Sequence, residues 1–194
     1  NVAERPTGTV VNKFTKKMET PKAIARMYWY STTAPYTLEN SILASAAGQV
    51  LSKLYLQKIR EEAGAAYSAG AAGSVQMVGD RVFTTLLGHC PMKPEMADEA
   101  IKIMREEAVA ISKSVDEATL NEIKAVMLKD ADAAVKENSH WLGVYNMYVS
   151  RGIDTETDYK NIVKSLTPAK VAAFVKNVIL KAGNNVEVIM LPEK

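Results

Sequence analysis

Apolar and polar positions along the chain change period several times, and each change predicts an element. Gly8 to Lys16 (GTVVNKFTK) is rich in β-branched and aromatic residues and predicts a first strand. Thr20-Pro21 breaks it, and Ala23 to Tyr30 (AIARMYWY) predicts a second, more buried strand. Pro35 ends the next loop, and Thr37 is placed to cap a helix from Leu38. Ile42, Leu43 and Ala46, then Val50, Leu51, Leu54, Tyr55 and Ile59, give that helix one apolar face, with a loosening expected at Gly48. Ala65 to Ser74 and Arg81 to Cys90 predict two strands joined by a turn around Val78, Gly79 and Asp80.

The second half is helical in pattern. From Glu95 an acidic turn opens a helix ending near Ser114, with Met96, Ala100, Ile103, Met104 and Ile111 inward. Asp116 caps another, whose stripe is Leu120, Ile123, Val126, Met127, Ala131 and Val135. Asn138 to Val149 carries Trp141, Tyr145 and Tyr148 at spacings of four and three, the pattern of a helix packed on a core. A short helix is expected from Thr155 through Ile162 and Val163. Thr167-Pro168 opens a further helix, Ala169 to Leu180, closed by Gly183, and Val186 to Leu191 predicts a final strand. Strands first, a helical cover next and a returning strand predict an α+β fold, a two-layer sandwich of a mostly antiparallel sheet covered by helices.

Composition narrows the function classes more than it selects one. A chain of 194 residues buries about 70% of its unfolded surface and fits one domain, residues 1–194. It is 47% hydrophobic and 24% charged, and its apolar runs are far short of a membrane span, so a soluble chain is expected. Lys and Arg total 24 against 22 Asp and Glu, with no basic run long enough to track phosphates, so no nucleic-acid partner is expected. The single cysteine, Cys90, excludes an internal disulfide and leaves both cytoplasmic and periplasmic or cell-envelope locations open. The chain begins at Asn1 without a signal-like segment, and the expectation is a piece of a longer protein.

The stretch with candidate chemistry is Leu54 to Gly73, LYLQKIREEAGAAYSAGAAG. Its helix is expected to end near Glu62 and to reverse at Gly64, because glycine reaches the left-handed conformation without strain. Arg60 then sits in the last helical turn. Tyr67, seven residues on, is expected at the start of the following strand, its ring flanked by small residues. The pair reads either as a cation and a phenol offered to something outside the domain, or as a helix C-terminal charge and a half-buried strand residue.

The runs Gly48-x-x-Leu51-Ser52-x-Leu54-Tyr55 and Leu56-x-x-x-Arg60-Glu61-Glu62-x-Gly64-x-x-Tyr67-Ser68 resemble the substrate-contacting segment of the pitrilysin-type (insulinase-like, inverzincin) zinc metallopeptidases. The likeness continues through Thr84 to Ala100, Thr167-Pro168 and Val188 to Pro192. It implies the C-terminal, non-metal-binding domain of such a peptidase, which supplies the arginine and tyrosine to a site whose zinc lies in the other, catalytic half. By that resemblance Arg60 donates to backbone carbonyls of a peptide substrate, and Tyr67 places its hydroxyl near the scissile carbonyl. The catalytic half, on the same polypeptide or a separate subunit, is then the partner, and zinc is expected there and not in this chain. The same resemblance admits a non-catalytic scaffold or peptide-binding subunit, with a strand edge open for β-augmentation.

A self-sufficient active site is not found in the sequence. A zinc peptidase of this type needs H-x-x-E-H on one helix, so that two imidazoles reach one metal while the glutamate activates its water. His89 and His140 are far apart and each lacks such a partner, and structural roles are expected for both. His89 and Cys90 are strand neighbours, so they point to opposite faces. No phosphate-binding glycine loop and no G-x-S-x-G elbow occurs, and the pairs Glu61-Glu62, Glu106-Glu107 and Asp130-Asp132 read as solvated helix surface. Inactive alone, the chain would be part of an enzyme only when joined to its catalytic half.

Overall fold

The computed structural model describes residues 4–193. Residues 1–3 and 194, part of the expected domain span and including the Asn1 start, lie outside the described residues. Five strands form one sheet: β1 (Thr9–Lys16), β2 (Ala23–Ser31), β3 (Gly70–Val78), β4 (Arg81–Met92) and β5 (Asn184–Pro192), in the order β1-β5-β2-β4-β3. β1 runs parallel to β5, and the remaining pairings are antiparallel. The mostly antiparallel α+β sheet expected from the sequence is present. The turn between β3 and β4 falls at Gly79, whose φ is 61°, and Asp80.

Helix α1 (Leu38–Tyr55) follows β2 and is capped by Thr37, whose hydroxyl accepts from the Asn40 amide at 3.0 Å. It is not loosened at Gly48. A Cβ there would stand 2.0 Å from the backbone nitrogen of Gly73, so the glycine is the point where the helix backbone lies directly on β3. The rest of the cover is α2 (Ala97–Ala110), α3 (Glu117–Ala134), α5 (Tyr159–Ser165) and α6 (Pro168–Phe174), with α4 (Asn138–Arg151) between α3 and α5. Ala25, Met27 and Trp29 of β2, Leu86 and Cys90 of β4 and Ile189 of β5 meet Leu51, Tyr55, Met104 and Leu120 in the core.

Several helix expectations shift. Pro94 to Met96 form a 3-10 turn before α2 begins at Ala97, with Pro94 at the first position, where its missing N–H costs nothing. In α3 Leu120, Ile123 and Met127 are buried, but Val126 points to solvent. No helix starts at Thr155. The Asp154 carboxylate binds the amides of Glu156 and Thr157 at 2.8 and 3.0 Å, holding a turn, and α5 begins at Tyr159.

The largest departure is α4. Trp141, Tyr145 and Tyr148, expected in the core, are 48%, 66% and 63% exposed, and no residue of the helix is buried. Spacing shows that a helix has an apolar face, but not that its own chain covers it.

One charge is deeply buried. Glu187 of β5 is 2% exposed and takes Arg105 of α2 through two guanidinium nitrogens, Nε at 3.0 Å from one carboxylate oxygen and a terminal nitrogen at 2.5 Å from the other. Burial raises the Glu187 pKa, while the hydrogen bonds from Arg105 and Asn185 lower it, and the net direction is down. This clamp joins the helical layer to the sheet.

Candidate active-site contribution

The C-terminus of α1 does not stop at Tyr55 but widens into a π-helical stretch, Leu56–Glu62. The Ala63 amide donates to the Lys58 carbonyl at 3.1 Å, and the Ala65 amide reaches back to Ile59 at 2.9 Å. Such wide turns are rare and recur at functional sites. Two anchors hold this one. Ile59 is fully buried, and Lys58 pairs at 2.7 Å with the largely buried Glu107 of α2. The hydrogen bond that Lys58 donates to Glu107 raises the Lys58 pKa, keeping the ammonium charged. One turn earlier Tyr55 is buried under β4 and donates to the Met104 carbonyl at 2.7 Å. Burial, followed by the field of Cys90 and Glu107, pushes its phenol well above the ordinary value.

The chain reverses at Gly64, whose φ is 62°, as the sequence predicted. Tyr67 does not lie in a strand. Ala65 and Ala66 are both buried, at 0% and 6% exposure, which breaks the alternation a strand requires, and β3 begins only at Gly70. Lys93 donates its amide to the Ala65 carbonyl at 3.0 Å, tying this loop to the end of β4. The methyl groups of the two alanines are the loop's anchor, and Tyr67 is left 87% exposed. Arg60 is also exposed, and neither side chain has a hydrogen-bond or ion-pair partner among the described residues. The structure therefore brings a free guanidinium and a free phenol to one end of the domain, on either side of one glycine turn. It does not pair them with each other.

The other candidates are accounted for by local contacts. His89 faces away from the core beside Arg26, with Nε of Arg26 3.3 Å from His89 Nδ1. Partial burial and the Arg26 charge lower its pKa, so the imidazole is neutral near pH 7. Cys90 is buried on the other face, and burial pushes its thiol up to about 12, which removes it as a nucleophile. His140 binds Glu156 at 2.9 Å and meets the Trp141 ring edge-on. Zinc does not fit this residue set, since each histidine already has a partner and no cluster of three His, Cys, Asp or Glu side chains with metal-binding geometry occurs among the described residues. No described helix is long and apolar enough to cross a membrane.

The family model for the peptidase M16 inactive domain matches residues 3–127, about two thirds of the chain. The chain belongs to the peptidase M16 inactive-domain family. No curated protein sequence matches it. Among solved structures the fold resembles the periplasmic protease PqqL from Escherichia coli, at 23% identity and a TM-score of 0.80, over 97% of this chain and 21% of that one. It also resembles a peptidase M16 inactive domain from Pseudomonas fluorescens, at 15% identity and a TM-score of 0.71, covering 97% of this chain and 45% of the other. Pitrilysin is similar at 16% identity and a TM-score of 0.58, over 97% of this chain and 20% of pitrilysin. The chain thus spans from about a fifth to under half of the length of these structures.

Proposed function

We propose that the chain is the substrate-binding domain of a zinc-dependent metallopeptidase, lacking the metal motif and supplying Arg60 and Tyr67 to a site shared with a catalytic half. The observation that carries this reading is the mismatch between anchoring and exposure. A π-helical turn and a loop are pinned by Ile59, Lys58, Ala65 and Ala66, while the arginine and tyrosine they carry hold no partner of their own. Rigid backbone beneath free polar side chains is the arrangement that binding a substrate requires, since little order must be gained on contact.

The chemistry follows from the two groups. Arg60 stays charged at every working pH, and its planar fork donates to backbone carbonyls of an extended peptide. Tyr67 donates its hydroxyl toward the oxygen of the carbonyl under attack, where charge develops, and one such donor is worth on the order of 100-fold in rate. Both contacts read backbone, so the substrate class is peptide with broad side-chain tolerance. The zinc, in this reading, belongs to the catalytic half, which is the partner of this chain.

The test is peptide hydrolysis by the complete enzyme carrying Tyr67→Phe or Arg60→Ala. Each variant is expected to fold normally and to lose at least about tenfold in turnover. Unchanged turnover in both would refute the assignment and leave a non-catalytic scaffold as the role of the domain.

A further inference from the structure

Helix α4 turns toward solvent the face that a helix ordinarily turns inward. At about 100° per residue, Trp141, Leu142, Tyr145, Tyr148 and Val149 occupy one arc of roughly 120°. All five are exposed, Leu142 by 68% and Val149 by 63%. The half-buried positions, His140, Val144 and Met147, lie on a narrower neighbouring arc, and Ser139, Gly143, Asn146 and Ser150 fill the rest. Taking about 150–250 Å² for an aromatic side chain, the exposed stripe presents on the order of 500 Å². That is the upper range of the largest apolar patch on a lone chain, and it approaches the roughly 800 Å² that each partner contributes to a stable interface.

The helix is fixed at both ends in this orientation. The Trp141 indole donates to the Val135 carbonyl at 2.8 Å, and His140 holds Glu156. At the other end the Arg151 guanidinium donates to the Gly79 carbonyl at 3.1 Å, and Gly152 closes the helix with a φ of 68°. A helix tied at each end with its apolar arc outward is a surface held in place for a partner.

We propose that this stripe seats a second folded domain of the same polypeptide, through an apolar surface that offers acceptors to the Tyr145 and Tyr148 hydroxyls. The occupant is argued from three observations. First, in PqqL, the Pseudomonas fluorescens structure and pitrilysin this fold accounts for only 20% to 45% of the chain, so more than half of each of those polypeptides lies outside it, although a Bordetella pertussis chain of the same fold is covered to 94%. Second, the polar side of α4 carries Ser139, Gly143, Asn146 and Ser150 and no lysine or arginine, unlike the basic polar face of a helix that lies on a membrane. Third, the Arg151 contact places the C-terminus of α4 at the β3–β4 turn, while Tyr67 precedes the other end of β3. Nine residues of strand separate the two by roughly 30 Å. A domain seated on α4 therefore leaves the Arg60–Tyr67 end open.

This inference stands apart from the roles given to Arg60 and Tyr67. It is tested by hydroxyl-radical footprinting, read by mass spectrometry at Trp141, Tyr145 and Tyr148, on the 194-residue chain and on the polypeptide isolated from its natural source. Labelling is expected to be high in the chain alone and about fivefold or more lower in the natural polypeptide, since interface cores exclude water. The double variant Tyr145→Ser, Tyr148→Ser should leave the urea midpoint of the chain unchanged and restore labelling of Trp141 in the natural polypeptide. Equal labelling in both samples would overturn the proposal. So would protection of the chain alone with a doubled mass, which marks a second copy, or protection only on anionic phospholipid vesicles, which marks a membrane. Tyr67→Phe in the natural polypeptide should alter cleavage without altering this labelling, so failure of either reading is seen separately.

Discussion

Gly73→Ala is the substitution whose consequence the structure defines most sharply. A Cβ at this position would stand 1.8 Å from the Ala44 carbonyl oxygen and 2.6 Å from its carbon. Both are backbone atoms of α1, so no rotamer change relieves the clash. The helix must retreat by roughly 1.7 Å to regain ordinary contact of about 3.5 Å. Retreat would pull Ile42, Ala46, Val50 and Leu51 from the core they fill. Overpacking typically costs 1–3 kcal/mol, and a backbone-on-backbone clash belongs at or above the top of that range, about 3–4 kcal/mol. For a chain of this length that corresponds to a fall in Tm of about 6–15 °C. Gly70→Ala is the internal control, because its Cβ meets only the Ser52 hydroxyl oxygen at 3.4 Å. It should cost less than about 1 kcal/mol, glycine itself being a weak strand residue. Urea unfolding followed by far-ultraviolet circular dichroism measures both. Equal midpoints for the two variants would refute the claim that α1 rests on the β3 backbone. The effect extends to the site, since α1 continues into the turn bearing Arg60, and an error of about 1 Å in placing such a group can cost on the order of 100-fold in rate.

Arg105→Met leaves Glu187 buried without its cation and should cost about 2–3 kcal/mol at pH 7, less than a fully buried pair because Arg105 is half-exposed. In the native chain the Glu187 pKa is depressed, so its stabilising contribution is present above the unfolded carboxylate value near 4.3 and is lost as pH falls through the folded value. In the variant, burial is opposed only by the Asn185 hydrogen bond and the pKa rises, so the stability gap measured by urea unfolding should narrow between pH 7 and pH 4, and a gap independent of pH would contradict the clamp. Cys90, with its thiol pushed up to about 12, should react with a thiol-specific disulfide reagent at pH 8 only as fast as the chain opens, and rapid stoichiometric labelling of the folded protein would show it to be accessible.

What the sequence made legible was local chemistry. Thr37, Asp116 and Thr167 cap their helices as read, each accepting from the backbone amide three residues on. Gly64, Gly79 and Gly183 turn the chain at positive φ where a reversal was expected. The spacing from Arg60 to Tyr67 was likewise visible. What escaped is tertiary in origin. The run LQKIREE is an ordinary helical sequence, and its π winding accompanies the burial of Ile59 and the Lys58–Glu107 pair, which involve residues distant along the chain. The Glu187–Arg105 clamp had one signal, a glutamate inside the apolar run of the last strand, but its partner lies 82 residues away. The α4 stripe was read correctly as helical and apolar, while its exposure depended on which arc faces the domain.

The loop carrying Tyr67 shows why that residue separates function from stability. A tyrosine that filled a half-buried strand position would lose packing when shortened, and any loss of cleavage would be confounded with unfolding. Here the loop is anchored by Ala65 and Ala66, by the Ala65 amide on Ile59 and by Lys93 on the Ala65 carbonyl. Tyr67 adds no hydrogen bond among the described residues and almost no burial. Surface substitutions of that kind usually change stability by less than about 0.5 kcal/mol. Even Tyr67→Ala should therefore leave the unfolding midpoint in place, so any loss of hydrolysis by Tyr67→Phe measures the missing hydroxyl and not a damaged fold. The alanines carry the reverse expectation. Ala65 and Ala66 touch no substrate in this reading, yet enlarging either one would lift the loop and move the phenol.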